Sequence, residues 1–247
     1  MNKSISVFNF SGIYEDESFY RQDKGSSFCA AYDLTKVPGT NCMCDDAARS
    51  EIERIITENK IPIKGLHFID SGNYHYMSAI LTSFVREPFS LVVLDHHPDM
   101  QPPMFGDILS CGGWVLDVME KNEYIRDIHV IGADRDLISQ LDEKDRKRAL
   151  FYDSDRALDV IDRIEHPVYL SIDKDVLMRR DLITNWDQGD MSIDELLGFA
   201  ERLKERHEII GIDICGECAP DQEGIDVPVA VKVNDEFNWK IGMFFAG

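Results

Sequence analysis

Leu91-Val-Val-Leu-Asp-His-His-Pro-Asp99 decides how this chain is read. Four apolar residues read as a buried strand, and Asp95, His97 and Asp99 follow at a spacing of two. Successive side chains of an extended chain alternate faces, so the three point the same way if the strand geometry persists. Carboxylate, imidazole and carboxylate form a mixed oxygen and nitrogen donor set suited to a first-row divalent metal. Val168-Tyr-Leu-Ser-Ile-Asp-Lys-Asp175 repeats the logic, with Asp173 and Asp175 sharing a face after another apolar run. A single Asp after a strand is ordinarily a helix cap or a turn residue. Two strand ends carrying five candidate ligands point instead to a two-metal hydrolytic centre. His96 falls on the face opposite His97 and reads as a structural or supporting residue.

Outward from these runs, strand-like and helix-like segments alternate nearly throughout. Strands are expected at Ile5 to Phe10, Gly65 to Ile69, Leu91 to Leu94, Ile128 to Ile131, Leu150 to Tyr152, Val168 to Ile172 and Ile209 to Ile214. Helices are expected at Ala47 to Asn59, Tyr76 to Val85, Gly113 to Glu120, Ile138 to Arg146 and Leu158 to Ile164. A further helix runs from Ser192, its cap, to about Glu205, with Asp194 and Glu195 in the first turn where the helix dipole favours them. The tail beyond Pro220 reads as a partly irregular edge. The β-α-β order predicts an α/β fold, a mostly parallel central sheet with helices on both faces, and no linker divides residues 1–247 into more than one domain.

Ligands of open α/β sheets bind beyond the carboxyl ends of the strands. Acid or imidazole lies there after four strands: Asp70 and His75, Asp95 to Asp99, Asp173 and Asp175, and Asp213 with Glu217. Asp95 and Asp173 are placed to bridge two cations roughly 3.5 Å apart. The nitrogen of His97 favours manganese, iron, cobalt or zinc over magnesium or calcium. A water between two such cations is acidified to a nucleophilic hydroxide, so no serine or cysteine nucleophile is required. The loop Arg179 to Asp190 follows a ligand-bearing strand and is a candidate substrate wall.

The formal net charge is -20, from 46 acidic and 26 basic residues. Such a surface repels phosphate backbones and anionic lipid, which argues against nucleic-acid and membrane partners. The first residues lack the apolar core of a signal peptide, and no run approaches the about 18 apolar residues of a bilayer span. A cytoplasmic location is the expectation, with Cys29, Cys42, Cys44, Cys111, Cys215 and Cys218 as free thiols. Cys215-Gly-Glu-Cys218 has the CxxC form without the usual helix after it, and Cys42 and Cys44 with that pair form a chemically allowed but oddly spaced zinc set.

These motifs resemble those of the ureohydrolases, the arginase, agmatinase and formimidoylglutamase family. The family's Asp-Ala-His-x-Asp is similar to Asp95-His-His-Pro-Asp99, and its Ser-x-Asp-x-Asp to Ser171-Ile-Asp-Lys-Asp175. Its early Gly-Gly-Asp-His resembles Gly72-Asn-Tyr-His75, and its late Asp-x-x-Glu-x-x-Pro resembles Asp213-Ile-Cys-Gly-Glu-Cys-Ala-Pro220 with one extra residue. The resemblance implies a three-layer α/β/α arginase-like fold and two manganese ions. His75, Asp95, Asp99 and Asp173 would hold one ion; Asp95, His97, Asp173 and Asp175 would hold the other. Glu217 matches the acid that anchors a guanidinium or amidine substrate. The implied reaction is hydrolysis of a carbon–nitrogen bond in a linear amidine by metal-bound hydroxide, releasing urea or a related amide, with Asp99 relaying a proton to the leaving amine. Family members are often trimers or hexamers, which implies a homo-oligomer.

The chain also departs from the family. His96 stands where a small residue is usual. Ser110-Cys-Gly-Gly-Trp114 lacks the proton-shuttle histidine of arginases, and Pro102-Pro-Met-Phe105 lacks their α-amino-acid-binding Asn and Ser. The chain is shorter than typical members, which implies trimmed loops. Two alternatives stay open on sequence: a zinc-dependent deacetylase-like amidohydrolase, and a non-catalytic homologue.

Overall fold

The computed structural model describes residues 4–21 and 29–246. Ten strands are present among them: β1 Ile5–Asn9, β2 Cys29–Asp33, β3 Met43–Cys44, β4 Leu66–Ser71, β5 Phe89–Leu94, β6 Leu109–Ser110, β7 Ile125–Ile131, β8 Leu150–Tyr152, β9 Val168–Asp173 and β10 Ile209–Glu217. The helices are α1 Asp46–Glu58, α2 Met77–Thr82, α3 Trp114–Lys121, α4 Arg135–Ser139, α5 Glu143–Arg146, α6 Ile193–Arg206 and α7 Val227–Ala246.

Eight strands form one sheet in the order β2-β1-β4-β10-β9-β5-β7-β8. Every pairing in it is parallel. Helices cover both faces. Val92 and Leu94 of β5 join Phe68, Leu170 and Ile212 against Leu196 and Phe199 of α6 and Phe237 and Ile241 of α7. The alternate residues Leu91 and Val93 join Phe8 and Ile69 against Ile52 and Ile56 of α1 and Trp114 of α3. Burial on both faces is why β5 and β9 read as continuous apolar runs rather than alternating ones. Each buried Leu, Ile, Val or Phe side chain stabilises the fold by about 2 kcal/mol relative to exposure, so these two packed faces set the register of the central strands.

The helix α6 begins as its sequence indicates. The Ser192 hydroxyl accepts from the Glu195 N–H while the Glu195 carboxylate accepts from the Ser192 N–H. Other expectations are corrected. Ile138 to Arg146 is two short helices, because the chain turns at residues 140–142 and restarts with Asp142 at the α5 N-terminus. Residues 154–163 form a 3-10 helix. The tail is no irregular edge: α7 spans 20 residues and closes one face of the sheet. The edge strand β2, half exposed, was not anticipated.

The topology positions the site. β4 precedes β5 in the chain, yet β10 and β9 lie between them in the sheet. The strand order therefore reverses at the centre, and such a reversal opens a crevice at the carboxyl ends. The four strands β4, β10, β9 and β5 that carry the candidate ligands are consecutive there.

Candidate metal centre

The chain does not stay extended after β5. It ends at Leu94, and Asp99 adopts a left-handed backbone with φ 49°. The spacing-two argument thus names the right residues for a different reason. The Asp95 Oδ1 accepts from the His97 N–H at 2.6 Å, which turns the chain and brings the His97 ring back over the strand end. The left-handed Asp99 then returns its carboxylate to the same place. After β9 the device is similar. Asp173 Oδ1 accepts from the Asp175 N–H at 2.9 Å as a short 3-10 turn begins, and both carboxylates face the crevice while Lys174 turns away.

Two donor clusters result, joined at Asp95. His75 Nδ1 lies 3.2 Å from Asp95 Oδ2, 3.2 Å from Asp99 Oδ2 and 3.3 Å from Asp173 Oδ2. His97 Nδ1 lies 2.9 Å from Asp175 Oδ2 and 3.5 Å from Asp95 Oδ1. All six candidate ligands named from sequence meet here. Supporting contacts orient them. His75 Nε2 is 2.9 Å from Ser171 Oγ, and the Trp114 indole N–H donates to Asp99 Oδ2 at 2.7 Å. Asp175 Oδ1 accepts from the His96 N–H at 3.0 Å, so His96 contributes through its backbone. Gly216, at φ 98°, is required by this packing: a Cβ there would stand 2.3 Å from Asp173 Oδ1.

The electrostatics are those of a site short of positive charge. Burial and the neighbouring Asp175 and Asp95 push the Asp173 carboxyl well above the usual range. Burial and Asp95 push Asp175 up to about 6. Burial opposes charge on His97, but Asp175 and Asp95 outweigh it and raise its pKa to about 12. His75 is likewise raised despite burial, by Asp95 and Asp99.

The donor set fits divalent cations. Buried His75 Nδ1 faces three carboxylate oxygens yet hydrogen-bonds to none, and Asp95 Oδ2 is likewise without a hydrogen-bond partner. Three carboxylate oxygens converge on Nδ1, so the arrangement calls for positive charge there, met by a proton on the imidazole in the metal-free protein and by a cation when one displaces that proton. A carboxylate shared between two clusters is also how paired metals are held.

A cavity of about 410 Å³ opens over the centre, walled by Trp186, Asp187, Met104, Leu137, Cys42 and Cys111 among others. The loop containing Trp186 is thus a wall, as its place after β9 indicated. Met104 and Phe105 are exposed near the mouth. Asp187, Trp114 and Cys42 were not singled out for roles at the site; the only sequence signal for Trp114 was its place in the segment where a shuttle residue was sought.

Three acids assigned to the site by sequence do not line the cavity. Glu217 is fully buried and is not among the cavity walls. Its Oε1 pairs with the Lys174 ammonium and accepts from Asn238 Nδ2 at 2.7 Å, while Oε2 has no hydrogen-bond partner among the described residues. Asp213 is mid-strand, because β10 continues to Glu217, and accepts from the Tyr169 hydroxyl at 2.9 Å beside His67. Asp70 accepts from the Phe10, Ser11 and Ser71 N–H groups and tethers the loop after β1. All six cysteines are free thiols. The four-cysteine zinc grouping does not form among the described residues: Cys42 meets Cys111, and Cys215 packs by His75 and Asp173.

No protein-family model matches the chain. An uncharacterized protein of Thermotoga maritima is 30% identical over 220 residues, covering 87% of this chain and 80% of that one. Among solved structures, a putative agmatinase from Clostridium difficile superposes with a TM-score of 0.67 at 15% identity, covering 99% of this chain and 98% of that one. The Entamoeba histolytica arginase in complex with L-ornithine superposes with a TM-score of 0.65 at 13% identity, covering 98% of each. The chain therefore belongs to one family with the Thermotoga maritima protein and has the arginase-like three-layer α/β/α fold of the ureohydrolases.

Proposed function

We propose that residues 1–247 act as one binuclear manganese hydrolase that cleaves a carbon–nitrogen bond of a linear guanidino or amidino compound, releasing urea or a related amide. The observation that carries this reading is the pair of donor clusters sharing Asp95, with the unpartnered His75 Nδ1 between three carboxylates. His75, Asp95, Asp99 and Asp173 would hold one ion, and Asp95, His97, Asp173 and Asp175 the other. When bound, the cations supply Lewis acidity toward the amidine and acidify a water held between them.

The protein's own groups do the rest. Asp99, held by the Trp114 indole, faces the cavity and passes a proton toward the leaving amine. Trp186 and Met104 exclude water from one side. Among the described residues, the cavity walls include no lysine or arginine, and Asp187 is the only acid there outside the ligand set. That wall favours a substrate whose far end is cationic or apolar over one ending in a carboxylate. With the wall groups supplying this preference, Glu217 supports the site from beneath rather than touching substrate. A cytoplasmic location and a homo-oligomeric state complete the reading.

The test is elemental analysis after manganese loading and desalting, followed by urea and amide release from guanidino and formimino compounds. Two manganese per chain with turnover of an amine-tailed guanidino compound supports the proposal. One zinc per chain with cleavage of an acetyl-lysine substrate would replace it with the deacetylase reading. No retained metal in folded protein would remove the catalytic reading altogether.

A further inference from the structure

Cys42 and Cys111 stand opposite each other on the cavity wall. The small ladder of β3 and β6 pairs Met43 with Ser110 and Cys44 with Leu109, antiparallel. One step further the same register sets Cys42 against Cys111, and the Cys111 N–H donates to the Cys42 carbonyl at 2.9 Å. Directly opposed residues of an antiparallel pair have Cα atoms about 4.5–5.5 Å apart, within the roughly 4.4–6.8 Å that a disulfide spans. Both thiols are half-buried and both line the cavity, and the two groups shift each other's ionisation. Cys42 is moreover held in a left-handed conformation, φ 59°, which a β-carbon disfavours.

We infer that Cys42 and Cys111 form a reversible disulfide in the wall of the metal-centre cavity, closed by exchange with a low-molecular-weight disulfide. The Cys42 thiolate attacks one sulfur of the external disulfide. A Cys42–sulfur bond forms, the external sulfur–sulfur bond breaks, and the first thiolate leaves and takes up a proton. Cys111 then attacks the Cys42 sulfur, its proton passing to the second departing thiolate. Two cysteine thiols are oxidised by two electrons, and the external disulfide is reduced to two thiols. The order follows from the environment: proximity to Cys111 lowers the Cys42 thiol to about 7, and the same interaction with burial raises Cys111. Burial raises Cys29 to about 11 and Cys44 and Cys218 to about 12, so those thiols are poor attackers.

The bond would act on both walls of the cavity. Asn41, next to Cys42, accepts from Asn73 Nδ2 at 2.9 Å, and Asn73 Oδ1 accepts from the Trp186 indole at 3.0 Å. On the other side, the Gly112 carbonyl accepts from the Gln101 N–H at 2.9 Å, two residues beyond Asp99. Drawing the sulfurs to bonding distance shifts the Trp186 wall and the Asp99 segment together. The consequence for turnover rests on the hydrolase reading above; the cross-link does not.

The test treats the full-length native chain with oxidised dithiothreitol or glutathione disulfide, alkylates it, and maps unreduced peptides by mass spectrometry. The expected product joins the Cys42 peptide to the Cys111 peptide, with loss of one alkylation at each, and reverts with reductant. Cys111→Ser should trap a glutathione mixed disulfide at Cys42, while Cys42→Ser should leave Cys111 alkylatable. Full alkylation of both in the treated wild type, a mixed disulfide that persists there unresolved, or a bond to another cysteine would overturn the inference. Manganese-loaded protein assayed in parallel should lose turnover several-fold on oxidation and regain it with reductant. Equal turnover in both states would overturn the gating role. Absence of turnover in both, with the cross-link mapped, would overturn the hydrolase reading and leave the disulfide standing.

Discussion

Asp173-Lys-Asp175 faces two regions of opposite character. On the cavity side, Asp173 and Asp175 join Asp95, Asp99, His75 and His97, a concentration of acid with no lysine or arginine among the described residues of the wall. Behind it, fully buried Lys174 donates to Glu217, to Asn234 Oδ1 at 2.8 Å and to Asn238 Oδ1 at 3.3 Å, under α7. Asn238 Nδ2 also donates to Glu17 Oε2 at 2.8 Å. Both regions bury carboxylates, which is costly unless a counter-charge is present. The rear region supplies its own cation from the chain. Unpartnered polar atoms occur in both, Glu17 Oε1 and Glu217 Oε2 behind as well as His75 Nδ1 and Asp95 Oδ2 in front. The difference is that the described residues lining the front include no lysine or arginine, so its carboxylates would depend on cations from outside. The contrast distinguishes an acid used for structure from one held ready for a ligand, on the two sides of a single three-residue motif.

The largest effect should come from Asp95→Ala, because Asp95 belongs to both donor clusters. Metal retained after desalting should fall from two ions per chain to none, measured by elemental analysis, and two retained ions would break the assignment. Lys174→Met should act on stability instead. It leaves Glu217 buried without its cation, and breaking a buried pair from one side costs about 3–5 kcal/mol. Urea unfolding of the metal-free protein measures it. A loss below about 1 kcal/mol, the scale of an exposed pair, would erase the difference between the regions.

The same contrast decides what the sequence made legible. The central strands were readable because a parallel sheet buried on both faces forces continuous apolar runs, and the ligands because acid and imidazole cluster at the ends of such runs. Asp213 and Glu217 were misplaced because nothing in Ile209-Ile-Gly-Ile-Asp-Ile-Cys-Gly-Glu217 tells where the strand stops. β10 runs through to Glu217, which buries Asp213 and aims Glu217 at Lys174. The helix α7 was unreadable for a related reason. Its inner stripe includes Ala230, Asn234, Asn238 and Gly242, while Trp239 and Met243 are exposed. The rear region needs the two amides, which interrupt an otherwise apolar inner face of Val231, Phe237, Ile241 and Phe245. Lys174 looked like a spacer between two ligands, and only the third dimension reveals its partners. Cys42 lies far from Cys111 in sequence, and no periodicity joins two-residue strands.

The smallest effect refines the comparison within the rear region itself. Burial first, and then Glu217, push the Glu17 carboxyl up to about 10, with Lys174 and Asn238 opposing. Glu17 is therefore held protonated at neutral pH beside the Lys174–Glu217 pair. A carboxyl whose folded pKa is raised contributes stability fully below its unfolded value, near 4.5, and loses it as pH rises through about 10. Glu17→Gln cannot ionise in either state and retains an amide donor for Glu217. Its stability relative to wild type should therefore grow with pH, by at most about 1.4 kcal/mol between pH 6 and pH 7. Paired denaturant melts of the metal-free proteins read the gap. A gap that stays constant between those two pH values would mean that Glu17 is ionised in the fold, and that Lys174 neutralises two acids rather than one.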